Sequence, residues 1–477
     1  MKRLFSLLAI ATILFLFAPI SEVQAQSASD QTWSSTITYF NVSDTDGTIT
    51  VIFYDGSTSY TSDPIFISAK GSGDVNIGLT SLGSDFSGSA VLSSSVPIVS
   101  LSSQYSDSNP SGYSKGFYTG FNVTDAGEKF YLATVRANGI TESTIGVQNV
   151  ESFDINVTLE FYDRFTMGLS FSHQVTLGPN EAYVSKVPDV PNYPGGYWDG
   201  SLVITAVDAS NPSSPGRVVA TALETQDYGY GVYSYEGAKE GSSNYYLPSA
   251  MCNYIGQTSY YAIQNIGSSV ANVVVDYYDM NGIKVGSMPV IAVQPGAKLS
   301  TNPCNDRLLV GQKGSAVVRS TNGVDLIAMG KINTNDGLIT AFSGISSGST
   351  NLAAPYIRWS PNPGSNYNTF IAVMNMGTVP AENIVVYYYN ADGSLAATHI
   401  LASSGNPLAP FTKANTTPSA ANALTDGAFG YSGNGGAVEI VSDQPVVALV
   451  RAAIYPTNIG GINLFGEDYN AISITTP

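Results

Sequence analysis

Charge is what this chain of 477 residues has least of: Asp, Glu, Lys and Arg make up 12% of it, against roughly 25% in an average soluble protein. The deficit falls on the basic side, with 19 Lys and Arg against 36 Asp and Glu and a formal charge of −17. The basic residues form no cluster, and an acidic surface repels phosphate backbones and anionic lipid, so nucleic acid and membrane surfaces are excluded as partners. Cysteine occurs twice, as Cys252 and Cys304. Two thiols make a poor metal site, and in an exported chain such a pair is expected to form a disulfide. Amphipathic helix patterning is missing except for a short stretch near Pro418–Leu424. Past the N-terminus no membrane-length apolar run occurs, since Pro445–Tyr455 is interrupted by Arg451. Ser, Thr, Asn, Gly and Tyr supply the polarity, and a hydrophobic fraction of 43% is ample for packed cores.

Lys2 and Arg3 precede an apolar run from Leu4 to Phe17, and Val23-Gln24-Ala25 follows it. This is the pattern of a secretory signal peptide, residues 1–25, cleaved after Ala25. The run is too short to span a bilayer comfortably. The mature chain is therefore expected outside the cytoplasm, at the cell surface or beyond, without a membrane span. Losing Lys2, Arg3 and Glu22 would take the formal charge from −17 to −18.

Repetition organises the rest. AIQNIGSSVANVVVDYYDMNG at 262–282 recurs as GVQNVESFDINVTLEFYD at 146–163, AVMNMGTVPAENIVVYYYNADG at 372–393 and YFNVSDTDGTITVIFYDG at 39–56. The anchoring residues Asn41, Asn149, Asn265 and Asn375 are spaced by 108, 116 and 110. An aromatic pair follows each, and three copies then carry Pro179, Pro295 and Pro410. Every copy continues with a small-residue start to a β-branched run: GSAVLS at 88–93, GSLVIT at 200–205, GSAVVRS at 314–320 and GAVEIVS at 436–442. Within the runs, apolar and mixed residues alternate, as in Val157/Leu159/Phe161 against Thr158/Glu160/Tyr162, the mark of antiparallel strands with one solvated face. Asp46-Gly47, Asp55-Gly56, Asn281-Gly282, Asp336-Gly337 and Asp392-Gly393 suit the hairpin turns between them.

A unit of about 110 residues with seven or eight short strands predicts an all-β chain of antiparallel β-sandwiches. The expected divisions are residues 27–136, 137–250, 251–358 and 359–477. The string IQNIGSSVANVVVDYYDMNGIKVGSMPVIAVQPGAKLS at 263–300 resembles the Asn-x-Gly…YYD-x-x-G…Pro-Gly pattern of bacterial immunoglobulin-like repeats of the cell-adhesion-related type. That resemblance covers mainly the first half of each unit. It implies four tandem immunoglobulin-like repeats serving as a stalk or binding module on the cell exterior, and it carries over no catalytic residue.

Candidate chemistry is sparse. His173 and His399 both lie 24 residues after their Asn, while the other copies place Ile65 and Pro289 there, which no catalytic or metal role tolerates. Gly344-Ile345-Ser346-Ser347-Gly348 matches a nucleophile elbow but lacks the following helix. Asp44-Thr45-Asp46-Gly47 and Asp279-Met280-Asn281-Gly282 resemble fragments of calcium loops; hairpin chemistry accounts for both, calcium stays as the lesser alternative given the acidic surface, and no other cofactor is expected. Thirty Tyr remain notable. Tyr228, Tyr230, Tyr233 and Tyr235 alternate, as do Tyr387 and Tyr389, and exposed rows of this kind can stack on sugars or contact proteins.

The sequence thus predicts a non-catalytic extracellular structural or adhesive protein, a rod of four sandwiches whose partners are other surface proteins or glycans. Its rival is a secreted carbohydrate-binding protein using the Tyr rows. The final residues, Ala471–Thr476, should form an ordered strand. Because units two to four are each preceded by an apolar triplet (131–133, 246–248, 352–354), the final strand could close the last unit. Alternatively it could be donated to unit one of another molecule in head-to-tail self-association.

Overall fold

Each of the four repeated asparagines ends a strand: Trp33–Asn41, Thr141–Asn149, Gln257–Asn265 and Tyr367–Asn375. All four side chains are fully buried and make the same bonds. The amide Nδ2 donates to the carbonyl four residues on, that of Thr45, Phe153, Ser269 or Val379, at 2.7–2.9 Å. It also donates to a more distant carbonyl, of Ser68, Gly178, Val293 or Leu408, at 2.8–2.9 Å. The Oδ1 accepts the N–H two residues on, from Ser43, Glu151, Gly267 or Gly377. The chain leaves one sheet for the other at this corner, which would bury backbone polar groups without partners, and an amide side chain supplies both donor and acceptor.

The computed structural model describes residues 33–56, 58–77, 80, 82, 86–106, 114–226, 231–335, 337–359, 367–421, 435–454 and 465–474. The expected signal peptide lies outside them. The chain is all-β, with antiparallel pairings throughout its sheets, and among the described residues helix is confined to short turns such as Val123–Asp125 and Val187–Asp189. Near Pro418 only turn structure is described, to residue 421.

The strands fall into four successive groups. In the first, Trp33–Asn41 pairs with Ser72–Asn76 and Ile98–Ser106, which pairs with Ser114–Thr119. A second sheet gathers Thr58–Thr61, Ile65–Ile67 and Ser89–Ser94 around Gly47–Asp55. Ile37 and Tyr39 of one sheet and Ile49, Val51 and Phe53 of the other share one core. The third group likewise has two sheets. The second and fourth are continuous eight-stranded sheets, the fourth because Gly436–Ile454 serves both halves, pairing first with Ile384–Asn390 and then with Tyr367–Asn375. The expected alternation is present: in Ile155–Asp163 the residues Ile155, Val157, Leu159 and Phe161 are all buried and their neighbours half-buried.

Two expectations need correction. The apolar strands expected to close units instead open them. Lys129–Ala137 pairs with Trp198–Asp208, Asn244–Cys252 with Gln312–Ser320, and Ser349–Ile357 with Gly436–Ile454. The hydrogen-bonded groups therefore begin near residues 127, 241 and 348 rather than 137, 251 and 359. A strand laid beside the small-residue run buries both, which is why Leu132, Leu247, Leu202 and Ala316 are all at 0% exposure.

Of the expected final strand, Ile472–Ser473 is a strand and residues 475–476 lie outside the described ones. Ile472–Ser473 pairs with Ser349–Ile357 of its own group, as Ala238 bridges Tyr131 and Ile345 bridges Tyr246 in the two groups before it.

The four groups do not form a rod. Their last main strands, Ser114–Thr119, Val232–Glu236, Ile339–Ser343 and Phe465–Asn470, touch in succession, and the fourth returns to the first. The axis is tight: Asn470 Nδ2 donates to the Ser343 carbonyl at 2.6 Å, and a Cβ on Gly116 would meet the Ser234 hydroxyl at 2.5 Å. Phe117 stands edge-on to Tyr356 and Tyr469, at 4.8 and 5.9 Å, which closes the ring.

Candidate functional site

Side chains able to do chemistry collect at the seams between neighbouring groups. Each seam starts from a turn with positive φ: Lys70 (54°), Asn180 (59°), Gly296 (78°) and Phe411 (61°). In three of them Pro179, Pro295 or Pro410 precedes, as a type II turn favours, and the closing N–H···O bonds span 3.1–3.2 Å. The serine of the small-residue strand in the preceding group donates to that turn's carbonyl: Ser89 to Asn180, Ser201 to Gly296, Ser315 to Phe411. The fourth strand has Ala437 there. The seam back to the first group is held instead by Lys70 Nζ on Glu439 at 2.6 Å and Arg358 on Asp74 at 3.0 Å.

The richest cluster joins the second and third groups. Lys298 enters from the strand Lys298–Thr301 and donates to Asp199 and to the Thr134 hydroxyl. Lys331, from Leu326–Thr334, pairs with Glu224 at 3.0 Å and meets the Tyr233 hydroxyl. Arg136 lies between the two carboxylates, 3.3 Å from Asp199 and 3.8 Å from Glu224, and Arg164 adds a second guanidinium to Asp199 at 3.0 Å. Asp199, Glu224, Lys298 and Lys331 are all buried.

Burial pushes the Lys298 ammonium down to about 8 and the Lys331 ammonium down to about 7, the latter helped by the Arg136 charge. Burial opposes ionisation of Asp199 and Glu224, but the lysines and Arg136 overcome it and hold both carboxyls below their usual range. Tyr233 and Tyr235 are pushed far above the ordinary phenol, first by burial and then by Glu224. Charges so desolvated and mutually paired orient one another across the seam.

The next seam repeats the device. Arg451 takes Asp468 in two bonds of 2.7 Å and reaches the Thr340 hydroxyl at 2.9 Å. Lys413 donates to the Pro248 carbonyl at 2.7 Å. On the axis, burial pushes Glu467 up to about 8 against the opposing Lys115 charge, and burial also raises Glu236. Beside Glu236 lies a cavity of about 290 Å³ lined by Tyr235, Glu240, Tyr245, Ser343 and Asn470.

The residues singled out from sequence land unevenly. Cys252 and Cys304 are joined in a disulfide with Cα atoms 5.1 Å apart. Tyr228 and Tyr230 lie outside the described residues. Tyr233 and Tyr235 are not a surface row: both are 2% exposed, because Val232–Glu236 is an axial strand packed on both faces. Tyr387 and Tyr389 are half-buried, and Tyr389 leans on Phe40 of the first group and hydrogen-bonds Glu439.

His399 shares Thr416 with Tyr388, and His173 sits 5.8 Å from the Tyr183 ring. Ser346 lies in the connection to Ser349–Ile357, a strand and not a helix. Asp279 accepts the N–H groups of Asn281 and Ile283 in its own turn, Asp46 accepts that of the distant Ala69, and no cluster of three or more His, Cys, Asp or Glu suited to a metal occurs among the described residues.

Sequence reasoning missed the seam cations. Their signal was a charge inside an apolar run, at one register position: Lys331 and Arg451 stand opposite Tyr260 and Phe370, each five residues before its asparagine. It also missed the exposed pair Phe165 and Tyr197, 65% and 61% accessible with rings 6.2 Å apart.

No family model matches this sequence, and no curated protein does. Among solved structures, a biofilm-associated protein BSP domain is similar over 94% of this chain and 92% of its own, at 8% identity and a TM-score of 0.12. Trypsin-activated alpha-2-macroglobulin from Escherichia coli is similar over 92% of this chain and 39% of its own, at 8% identity and a TM-score of 0.10. The native conformation of E. coli alpha-2-macroglobulin covers 92% of this chain and 38% of its own, at 10% identity and a TM-score of 0.12. At these TM-scores the likenesses carry no argument about function.

Proposed function

We propose that this is a non-catalytic extracellular structural or adhesive protein, built from four tandem immunoglobulin-like sandwiches closed into a ring. One observation carries the reading: at the seams Asp199, Glu224, Lys298, Lys331 and Asp468 are buried and bonded to opposite charges, from Lys298–Asp199 to Arg451–Asp468. Charge is used to join neighbouring groups, as Lys298 does with Asp199 and Lys331 with Glu224. The fourfold asparagine corner supports the repeat reading, and the disulfide supports an oxidising location.

The rival reading, a secreted carbohydrate-binding protein, loses Tyr233 and Tyr235 but gains the exposed Phe165–Tyr197 pair, with the Arg164 guanidinium 5.4 Å from the Phe165 ring. A glycan array combined with binding of labelled protein to producer cells separates the two. The structural reading expects retention on the envelope and no saturable glycan binding. Glycan binding abolished by Tyr197→Ala would transfer the assignment to the rival.

A further inference from the structure

In three groups the small-residue strand has a neighbour on each side. Trp198–Asp208 lies between Ile155–Asp163 and Lys129–Ala137, and Gln312–Ser320 between Ala271–Tyr278 and Asn244–Cys252. The start of Gly436–Ile454 lies between Ile384–Asn390 and Ser349–Ile357. In the first group the counterpart Ser89–Ser94 pairs only with Gly47–Asp55 among the described residues.

Its seat is otherwise the same, since Ser89 makes the same bond to the next group's turn as Ser201 and Ser315 do. The burial is not. Leu202, Ile204, Ala316, Val318, Val438 and Ile440 are all at 0%, whereas Ala90 and Leu92 are half-buried and Val91 is 37% exposed. An edge of this kind keeps a row of unpaired N–H and C=O groups beside a half-covered core, which is what an added strand satisfies.

The other groups show what fits. Leu132 stands opposite Leu202 and Phe130 opposite Ile204; Leu247 stands opposite Ala316 and Tyr245 opposite Val318; Leu352 stands opposite Ile440 and Ala354 opposite Val438. The occupant is thus antiparallel and apolar at alternate positions. The 108-residue spacing from Asn41 to Asn149 carries Phe130 and Leu132 back to Glu22 and Gln24 of this chain, which are polar and precede the expected cleavage after Ala25.

We propose that Ser89–Ser94 is a docking edge for a strand of another polypeptide. That partner supplies an extended segment with an aromatic residue or leucine and, two positions on, leucine or alanine. This names a partner class for the adhesive reading and rests on the export step within it.

The test uses the secreted full-length protein, its first residue fixed by intact mass, and a synthetic peptide with the sequence of Lys129–Ala137 as probe. Saturable one-to-one binding is expected, with at least tenfold slower exchange of the outward amides of Ser89–Ser94. A peptide carrying Phe130→Asp and Leu132→Asp should not bind, nor should the natural peptide bind a Leu92→Glu protein that keeps its circular dichroism spectrum. Absence of binding overturns the proposal. So does protection of those amides before peptide is added, because the edge would then already be paired. Because the assay needs no cells, its failure is distinct from failure of envelope retention.

Discussion

Lys298 donates to Asp199 across 99 residues of chain, with both side chains buried between the second and third strand groups. Removing the carboxylate leaves the fully buried Lys298 with no anion, only the Thr134 hydroxyl, and takes one partner from Arg136 and from Arg164. Asp199→Ala should cost about 3–5 kcal/mol in urea denaturation, as broken buried pairs do. Combining Asp199→Leu with Lys298→Met should recover most of the loss, because neither charge is then left alone. A loss below about 1 kcal/mol in the single variant would show that the seam is not held by this pair.

Lys413 gives a pH dependence of definite sign. It is buried on the Pro248 carbonyl, no carboxylate lies within ion-pair distance among the described residues, and burial, with Lys313 and Arg451, pushes its ammonium down to about 7. The unfolded chain holds this proton up to the ordinary lysine value of about 10.4. From about pH 7 upwards the unfolded state therefore binds the extra proton, and this residue's contribution to stability rises with pH. Below pH 7 the group is charged in both states and its burial cost is at its full value. Lys413→Met should raise the melting temperature by several degrees at pH 6 and by clearly less at pH 9.5; equal gains at both pH values would contradict the assignment.

The asparagine corners should be costly to alter. Asn265→Ala removes bonds to the Ser269 and Val293 carbonyls and the Gly267 N–H, leaving buried backbone groups without partners at about 1–3 kcal/mol each. A loss of about 3 kcal/mol or more is expected. Asn265→Asp should lose a similar amount, since a carboxylate cannot donate to either carbonyl. Chemical denaturation of both variants checks this, and an aspartate as stable as the native residue would refute the donor role.

Cys252 and Cys304 enclose a loop of 52 residues, which in the chain-entropy model is worth about 4 kcal/mol. The non-reduced protein should show no titratable thiol when denatured. Cys304→Ser should lower stability by about that amount and leave the first and fourth groups unchanged in hydrogen exchange.

Ring closure can be read in solution. A compact chain of this size has a radius of gyration of about 22 Å, and small-angle scattering should return a value near it. Phe117→Ala, which removes the contacts to Tyr356 and Tyr469, should cost about 3–5 kcal/mol and increase the radius. A native value twice as large would restore the rod.

The all-β character, the strand positions and the recurring corner were legible in the sequence, because each depends on neighbours a few residues away. Alternation such as Val157/Leu159/Phe161 assigns faces, Pro295-Gly296 supplies the positive φ of a tight turn, and two cysteines alone admit one pairing. The site was harder to see. Lys298, Lys331 and Glu224 read as ordinary solvated charges, since alternation says which side of a strand a residue occupies and not what covers that side. Tyr233 and Tyr235 misled for the same reason: an alternating aromatic row looks like a surface until another group's axial strand is laid over it. The spacing of the asparagines by itself marked where the same corner is made four times. Only the tertiary structure decided that Lys129–Ala137 pairs forward onto Trp198–Asp208 and that the fourth unit returns to the first. Those choices turn on which apolar edges can be covered together, and strand sequences that are nearly interchangeable along the chain do not encode that locally.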